Sequence, residues 1–168
     1  MGMTPEEFLS SFVQGNVEDF AEQPHCVRRG FNAAVAAAHM ADHNYKYSRH
    51  HRQPWVERFP SFENYLLYLY EAAGQGFRDI RGISNAYKHL YTRSQNSISS
   101  AGSIDCVRFP DPADAIQSVE QDWVSSPSRN ADGTRVIYRR RDGTEEELLP
   151  TLRRVVVFWL GELYGEES

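Results

Sequence analysis

Cysteine is nearly absent from this chain. Only Cys26 and Cys106 occur, and neither belongs to a C-x-x-C pair or to a His/Cys spacing typical of zinc ligands. This scarcity excludes a disulfide-stabilised scaffold and a structural zinc domain. It is typical of a reduced protein, so we expect a cytoplasmic location.

Long apolar runs are missing as well. No stretch approaches the roughly 18 consecutive apolar residues of a membrane helix. The first residues, MGMTPEEFLSSF, also lack the basic-then-apolar order of a signal peptide. We therefore expect a soluble protein that does not associate with a membrane.

Lysine is the third scarce residue, with only Lys46 and Lys88 beside sixteen arginines. The net charge of −5 excludes a global positive field that would draw the chain onto nucleic acid or an anionic membrane. RNA is thus a disfavoured partner. Arginine forks do suit carboxylate or phosphate groups, although a GC-rich genome gives the same bias.

Catalytic signatures are missing too. The chain contains no nucleophile elbow, P-loop or dinucleotide-binding fingerprint. This absence argues against serine hydrolases and the common nucleotide-binding enzymes, and the sequence predicts no cofactor. It favours a protein without enzymatic activity.

What the chain does have is helical patterning over most of its 168 residues, of which 40% are apolar and 12% aromatic. This length and composition fit one domain, residues 1–168, with its own core. Cap and period signals predict helices over residues 4–23, 25–48, 62–73, 77–93 and 150–164, the first interrupted at Gly15-Asn16. Thr4 and Ser61 are the predicted caps of the first and third helices.

A segment with a strand-like sequence pattern separates the last helix from the others. After the polar linker SQNSISSAGS, the segment from about 104 to 148 contains three strand-like stretches, DCVRF, SVEQDWV and TRVIYRRRDGTEEELL. In the last stretch Asp142-Gly143 predicts a hairpin turn between two alternating arms. The predicted fold is mainly α: a four- to five-helix bundle (4–93 and 150–165) with a small antiparallel β-hairpin or sheet inserted before the C-terminal helix.

The most informative stretch is FNAAVAAAHMADH, residues 31–43. At 100° per residue, Asp42 falls inside the apolar arc of the helix, and Asn32, His39 and His43 lie along one edge of that arc. Alanines let a neighbouring helix approach closely, and an unpaired buried carboxylate costs several kcal/mol. We therefore expect Asp42 to be mostly buried and paired, with Arg81 and His89 as the leading partners.

The fourth helix carries a polar stripe that includes Arg81, Asn85 and His89. This stripe is either an ordinary solvated face or one wall of a pocket shared with the long helix. Under the pocket hypothesis the protein binds a small anionic ligand or partner, through Asn32, His39, Asp42, His43, Arg81, Asn85 and His89. A metalloprotein is another alternative, because His39 and His43 form an H-x-x-x-H pair to which Asp42 or His89 can add a third ligand. We assign no metal, and we expect His50 and His51 to be a solvated pair.

Two resemblances bear on these alternatives. The stretch RDIRGISNAYKHL, preceded by NAAVAAAHMADH, resembles small uncharacterised bacterial helical-bundle proteins, some carried on mobile elements, over residues 25–93. More distantly, an arginine followed by polar residues and a histidine on one helix is similar to the HEPN superfamily. That resemblance implies a dimeric, metal-independent ribonuclease in which Arg81 stabilises phosphate charge and His89 acts as general acid or base. Seven residues separate Arg81 from His89, more than in that family's usual pattern.

The third predicted helix is apolar on nearly every side, since residues 65–70 read YLLYLY. A helix of this kind is either central in its bundle or part of a subunit interface. We expect a homodimer with two-fold contacts through the third or the last helix.

Overall fold

The computed structural model describes residues 2–89, 97–108 and 134–165, and this part of the chain forms five helices and a three-stranded antiparallel sheet. Helix α1 is made of three consecutive segments, α-helical Pro5–Phe8, π-helical Leu9–Gln14 and α-helical Gly15–Glu22. The other helices are α2 (Val27–His50), α3 (Phe62–Ala72), α4 (Gly74–His89) and α5 (Leu148–Tyr164). Short 3-10 turns cover Pro54–Arg58 and Ala101–Ser103.

The sheet has the order β1-β2-β3, with β1 at Ile104–Arg108, β2 at Thr134–Arg139 and β3 at Glu145–Glu147. Both pairings are antiparallel, with Cys106 opposite Val136 and Ile137 opposite Glu147. The predicted fold class, mainly α with a small antiparallel sheet before the last helix, is confirmed. The predicted strand SVEQDWV, residues 118–124, lies outside the described residues.

Side-chain caps begin two helices at the predicted positions. Thr4 Oγ1 accepts a hydrogen bond from the backbone N–H of Glu7 at 3.2 Å, and the Thr4 N–H donates to the Glu7 carboxylate at 2.8 Å. Ser61 Oγ accepts from the backbone N–H of Asn64 at 3.3 Å. These bonds satisfy donors that the first turn of a helix leaves free, so they fix where α1 and α3 start.

Helix α1 does not break at Gly15-Asn16, where we expected an interruption. Gly15 has ordinary α-helical angles, φ −56° and ψ −45°, and the helix continues through it. The irregularity lies one turn earlier, in the π-helical segment Leu9–Gln14, whose wider turns disturb the regular i→i+4 bonding. There the Asn16 side-chain amide donates to the Phe12 carbonyl at 2.7 Å. The prediction of a break was wrong, because Gly15 and Asn16 lie in the regular α-helical segment that directly follows the π-helical one.

Helix α2 is the centre of the bundle, since it contacts each of the other four helices. Its buried face is built mainly from small residues: Gly30, Ala33, Ala34, Ala37, Ala38 and Ala41. A Cβ atom added at Gly30 would lie only 2.8 Å from Leu148 Cδ2 of α5. The absence of larger side chains on α2 is therefore what allows α5 to pack directly against it.

One cluster of buried side chains joins the bundle to the sheet. It draws on all five helices and on β1 and β2, and its largest fully buried members include Trp159, Tyr65 and Tyr138. Helix α3 buries Tyr65 and Leu69 in this cluster, while Leu67 remains 58% exposed. The apolar surface of α3 thus exceeds what the described core covers.

The predicted hairpin turn is confirmed. Gly143 has φ +88° and donates its N–H to the Arg140 carbonyl at 3.0 Å, while the Arg140 N–H donates to the Thr144 carbonyl at 2.8 Å. Glycine suits this position because L side chains rarely adopt a positive φ. Arg–Glu ion pairs also connect the two arms, between Arg139 and Glu145 and between Arg135 and Glu147.

A fully buried carboxylate, Asp79 of α4, holds the sheet to the bundle. Its Oδ1 accepts from Gln75 at 2.8 Å and from Ser97 at 2.7 Å. Its Oδ2 accepts from the Tyr138 hydroxyl at 3.0 Å and from both Nε (2.9 Å) and Nη2 (2.6 Å) of Arg140. The desolvation of this acid is offset by one ion pair and three neutral donors.

Arg140 shares its charge with a second acid. Its Nη2 donates to Glu146 at 2.7 Å, and this bond with Arg140 lowers the pKa of Glu146 although partial burial opposes the shift. Arg154 of α5 reaches the other oxygen of Glu146 at 3.0 Å. The network therefore ties α4, the hairpin and α5 together through two carboxylates and two arginines.

Two neighbouring arginines of the hairpin provide a direct test of this network. Arg140→Ala leaves Asp79 buried without its counter-charge, so we expect it to lower the free energy of unfolding by about 3–5 kcal/mol. Arg139→Ala removes only an exposed cross-strand pair and should cost less than about 1 kcal/mol. Urea denaturation of both variants measures the difference, and similar losses would contradict the anchoring role of Asp79.

Candidate ligand-binding site

The ion pair predicted between the long helix and the fourth helix is present. Arg81 Nη1 donates to Asp42 Oδ2 at 3.1 Å and to the Ala38 carbonyl at 3.0 Å, and its Cζ lies 5.7 Å from the centre of the Phe62 ring. Asp42 keeps 32% of its side-chain surface exposed, so most of it is buried and the expectation of a mostly buried, paired carboxylate is confirmed. It follows Ala41 by 100° of rotation and lies at the margin of the buried arc, not within it.

His89 does not take part in this pair. It is exposed in the last turn of α4, whereas Arg81 is eight residues earlier, about 12 Å along the helix axis. Asn85 lies between them and is half-buried. The polar stripe of α4 is therefore spread along the helix, and only Arg81 of its three candidate residues reaches Asp42.

His39 contacts a lysine rather than an acid. The Lys88 ammonium of α4 lies 2.5 Å from His39 Nε2. Burial lowers the pKa of His39, and the nearby Lys88 charge lowers it further. The imidazole is consequently neutral near pH 7, with Nε2 as the acceptor and the ammonium as the donor.

His43 has a separate set of partners. Its Nε2 lies 3.0 Å from the Met3 carbonyl, and its ring stacks on Phe8 with the centroids 4.6 Å apart. Within residues 2–89, 97–108 and 134–165, no three histidine, cysteine or carboxylate side chains are grouped as metal ligands. His39, His43 and Asp42 thus do not form the three-ligand group that the metalloprotein alternative requires.

Two grooves lie between α2 and the N-terminal segment. The apolar groove, of about 340 Å³, is lined by Phe8, Phe12, Asn32, Val35, Ala36, His39 and Tyr87. The basic groove, of about 570 Å³, is lined by Gly2, Met3, His43, Lys46, Tyr47, His50 and His51. The structure places predicted residues Asn32 and His39 in the first groove and His43 in the second, while Asp42, Arg81, Asn85 and His89 line neither.

The sequence analysis missed most of the basic groove. The long helix was predicted to end at residue 48, but His50 is the last residue of α2, one turn beyond Lys46 and Tyr47. The centroids of the His51 and Tyr47 rings lie 4.1 Å apart. The spacing of 43, 46, 47 and 50 is itself a helical stripe and was the available signal. The sequence does not indicate that Gly2 and Met3 form the other wall of this groove, because their position depends on tertiary packing.

Comparisons with protein-family models, curated protein sequences and solved structures found no significant match to this chain. In the ranges that the structure describes, none of the helices combines the length and apolarity needed to cross a membrane.

The Lys88–His39 contact predicts a specific titration. Because the pKa of His39 is lowered from 6.5 in the folded state, the unfolded chain binds this proton first as the pH falls. Protonation of His39 should therefore lower the free energy of unfolding as the pH drops from 6.5 through the lower pKa that His39 has in the folded protein. Lys88→Gln should raise the pKa of His39 but leave it below 6.5, because burial is the larger cause.

NMR titration of the His39 ring protons measures this shift. Lys46→Gln is the matched control, because Lys46 is the weakest of the causes that act on His39. A His39 pKa of 6.5 in the parent protein would contradict the lowering by burial and by Lys88. Equal changes in this pKa in the two lysine variants would contradict the specific role of Lys88.

Proposed function

We propose that this protein binds a small anionic ligand that also has an apolar or aromatic part, and that the basic groove holds the anionic group. One observation carries the proposal. Lys46, His50 and His51 line a single groove, and in the described part of the chain none of them forms an ion pair with an acid. Arg81 and Arg140, by contrast, are both neutralised by carboxylates.

The chemistry of the groove suits an anion such as a phosphate or carboxylate. Lys46 supplies an exposed ammonium, and the imidazoles of His50 and His51 supply ring N–H donors. A charge-assisted hydrogen bond is roughly twice as strong as a neutral one. Because the chain as a whole carries −5, selectivity for an anion depends on this local concentration of basic groups.

The apolar groove offers a place for the rest of the ligand. Phe8 lines the apolar groove and stacks on His43, which lines the basic groove, so the two volumes adjoin at this ring pair. Phe12 and Tyr87 are exposed beside it. Volumes of about 340 and 570 Å³ are in the usual range for small-molecule sites, roughly 300–1,000 Å³.

The Asp42–Arg81 ion pair lines neither groove, but it holds together two of the helices that form the apolar groove. It joins α2 to α4 through a side chain and the Ala38 carbonyl, and α4 carries Lys88 and Tyr87 to the edge of the apolar groove. We assign these two residues to positioning, not to ligand contact.

The proposal also includes a homodimer in the cytoplasm. Leu67 of α3 is 58% exposed, and Val157 and Tyr164 of α5 are 67% and 58% exposed, which supports pairing through these helices. The cytoplasmic location rests on the scarcity and spacing of cysteine. Light scattering at tens of micromolar tests the dimer, and a monomeric mass would remove it from the proposal.

Phenyl phosphate is a suitable probe, because it combines an anionic group with an aromatic ring. We expect Lys46→Gln to weaken its binding about tenfold, the effect of one lost charged hydrogen bond. Arg153→Gln removes the same charge from an exposed position on α5 and should leave the affinity unchanged. Isothermal calorimetry compares the three proteins.

Equal weakening of phenyl phosphate binding by both variants would show non-specific attraction and contradict a site in the groove. The absence of phenyl phosphate binding would contradict the site as well. RNA cleavage that is lost in a His89→Ala variant would contradict the binding-protein assignment and favour the ribonuclease alternative instead.

A further inference from the structure

A third cavity, of about 430 Å³, lies at one end of the bundle and shares no residue with the two grooves. It is bounded by the start of α1, the turn Pro54–Arg58, α3 and the last turn of α5. Its walls include four aromatic side chains, Trp55, Phe59, Tyr65 and Tyr68. We refer to it as the aromatic pocket.

The rings of this pocket form a connected set. The Tyr65 centroid lies 5.3 Å from that of Trp55 and 5.2 Å from that of Phe59, and Phe59 and Tyr68 are 5.3 Å apart. Such distances are those of packed aromatic pairs. The pocket therefore presents several ring faces and edges within one small volume.

Hydrogen bonds fix the rings in place. Trp55 Nε1 donates to Gln53 Oε1 at 2.8 Å, and the same oxygen accepts from Ser48 at 3.0 Å. The buried Asn44 amide donates to the Tyr65 hydroxyl at 2.9 Å. A ligand that enters the pocket meets side chains that are already ordered, which reduces the entropy cost of binding.

Both tyrosines carry neutral phenols. Burial raises the pKa of Tyr65, and burial followed by the charge of Glu162 raises that of Tyr68. The Tyr68 hydroxyl donates to the two oxygens of Glu162 at 3.1 and 3.2 Å. The carboxylate is thereby held at the pocket wall beside an aromatic face.

The pocket has an excess of negative charge. Glu6 and Glu162 line it, and neither forms an ion pair with a basic side chain in the ranges that the structure describes. Gly161 and Gly165, at the C-terminal end of α5, line it as well, and this end of a helix carries partial negative charge.

One wall already holds a cation on an aromatic face. Arg58 donates from Nε to the Trp55 carbonyl at 3.3 Å, and its Cζ lies 5.9 Å from the Phe59 ring centre. Arg58 is the one basic residue in the lining, against two carboxylates. Its position leaves the exposed parts of the Trp55 and Tyr68 rings for a ligand, while Tyr65 is buried against both of them.

We propose that the aromatic pocket binds an organic cation, an alkylammonium group that packs against Trp55 and Tyr68 while Glu6 and Glu162 balance its charge. Ring faces attract ammonium groups electrostatically, most strongly where water is excluded. This site is independent of the anion site in the basic groove, because no residue belongs to both.

Choline and its uncharged carbon isostere, in which carbon replaces the quaternary nitrogen, test the proposal by calorimetry on the full chain. The two have the same shape, so a preference for choline reports the charge. We expect choline to bind at least about tenfold more tightly than the isostere.

Four variants locate the interaction. Glu162→Gln should weaken choline binding about tenfold, with Glu6→Gln as the second variant should Glu162→Gln lose its native circular dichroism spectrum. Arg58→Gln should strengthen binding, because it removes a like charge from the lining. Glu71→Gln, which removes an exposed carboxylate of α3 outside the pocket, should change nothing.

Equal binding of choline and its isostere would overturn the proposal, and so would the absence of binding by choline and tetramethylammonium. Weaker choline binding in Arg58→Gln would also overturn it. Benzoate binding that is lost in Arg58→Gln would assign the pocket to anions instead.

Discussion

The small side chains of α2 determine how closely the other helices can approach the centre of this protein. Five alanines and Gly30 make up most of its buried face, and the other four helices all contact α2. The closeness is visible where the Arg81 guanidinium of α4 reaches the Ala38 carbonyl at 3.0 Å. A larger side chain on this face would force α4 or α5 outward, because protein interiors have little free volume.

The two paired carboxylates of the bundle, Asp79 and Asp42, differ in what they do. Asp79 is fully buried and is satisfied by five hydrogen bonds from four residues, so its effect is to join the sheet to the bundle. Asp42 is only partly buried and bridges α2 to α4 at the edge of the core. The cavities that can accept ligands lie outside both networks, at places where packed elements end or diverge.

The opposite charges that line the two proposed ligand sites also have a physical basis. The basic groove follows one stripe of α2, where Lys46 and His50 are one turn apart, and none of the residues that line it is an acid. The aromatic pocket lies where Glu6 at the start of α1 meets Glu162 near the end of α5. The fold thus separates local positive and negative charge on a chain whose net charge is modest.

Local signals in the sequence predicted much of the fold. The Thr4 and Ser61 caps, the Asp142-Gly143 turn and the number of helices are set by neighbouring residues. The Asp42–Arg81 pair was predicted from helical periodicity and from the cost of an unpaired buried charge.

What the sequence analysis missed depends on distant segments. Asp79 shares the apolar stripe of α4 with Ile80 and Ile83, a signal that was available, but its partner Arg140 is 61 residues away, directly after β2. The aromatic pocket requires α1, α3 and α5 to meet, and no local pattern encodes that meeting. The same limit explains why His89, placed beside Asp42 by spacing alone, is exposed instead.

The packing of α2 is tested most directly by the free energy of unfolding of two alanine variants. Ala38 is buried against α4, whereas Ala36 is half-buried and lines the apolar groove. Ala38→Leu should lower the free energy of unfolding in urea by about 1–3 kcal/mol through overpacking, and Ala36→Leu should change it by less than about 0.5 kcal/mol. Equal stabilities of the two variants would contradict the claim that small residues on α2 set the arrangement of the bundle.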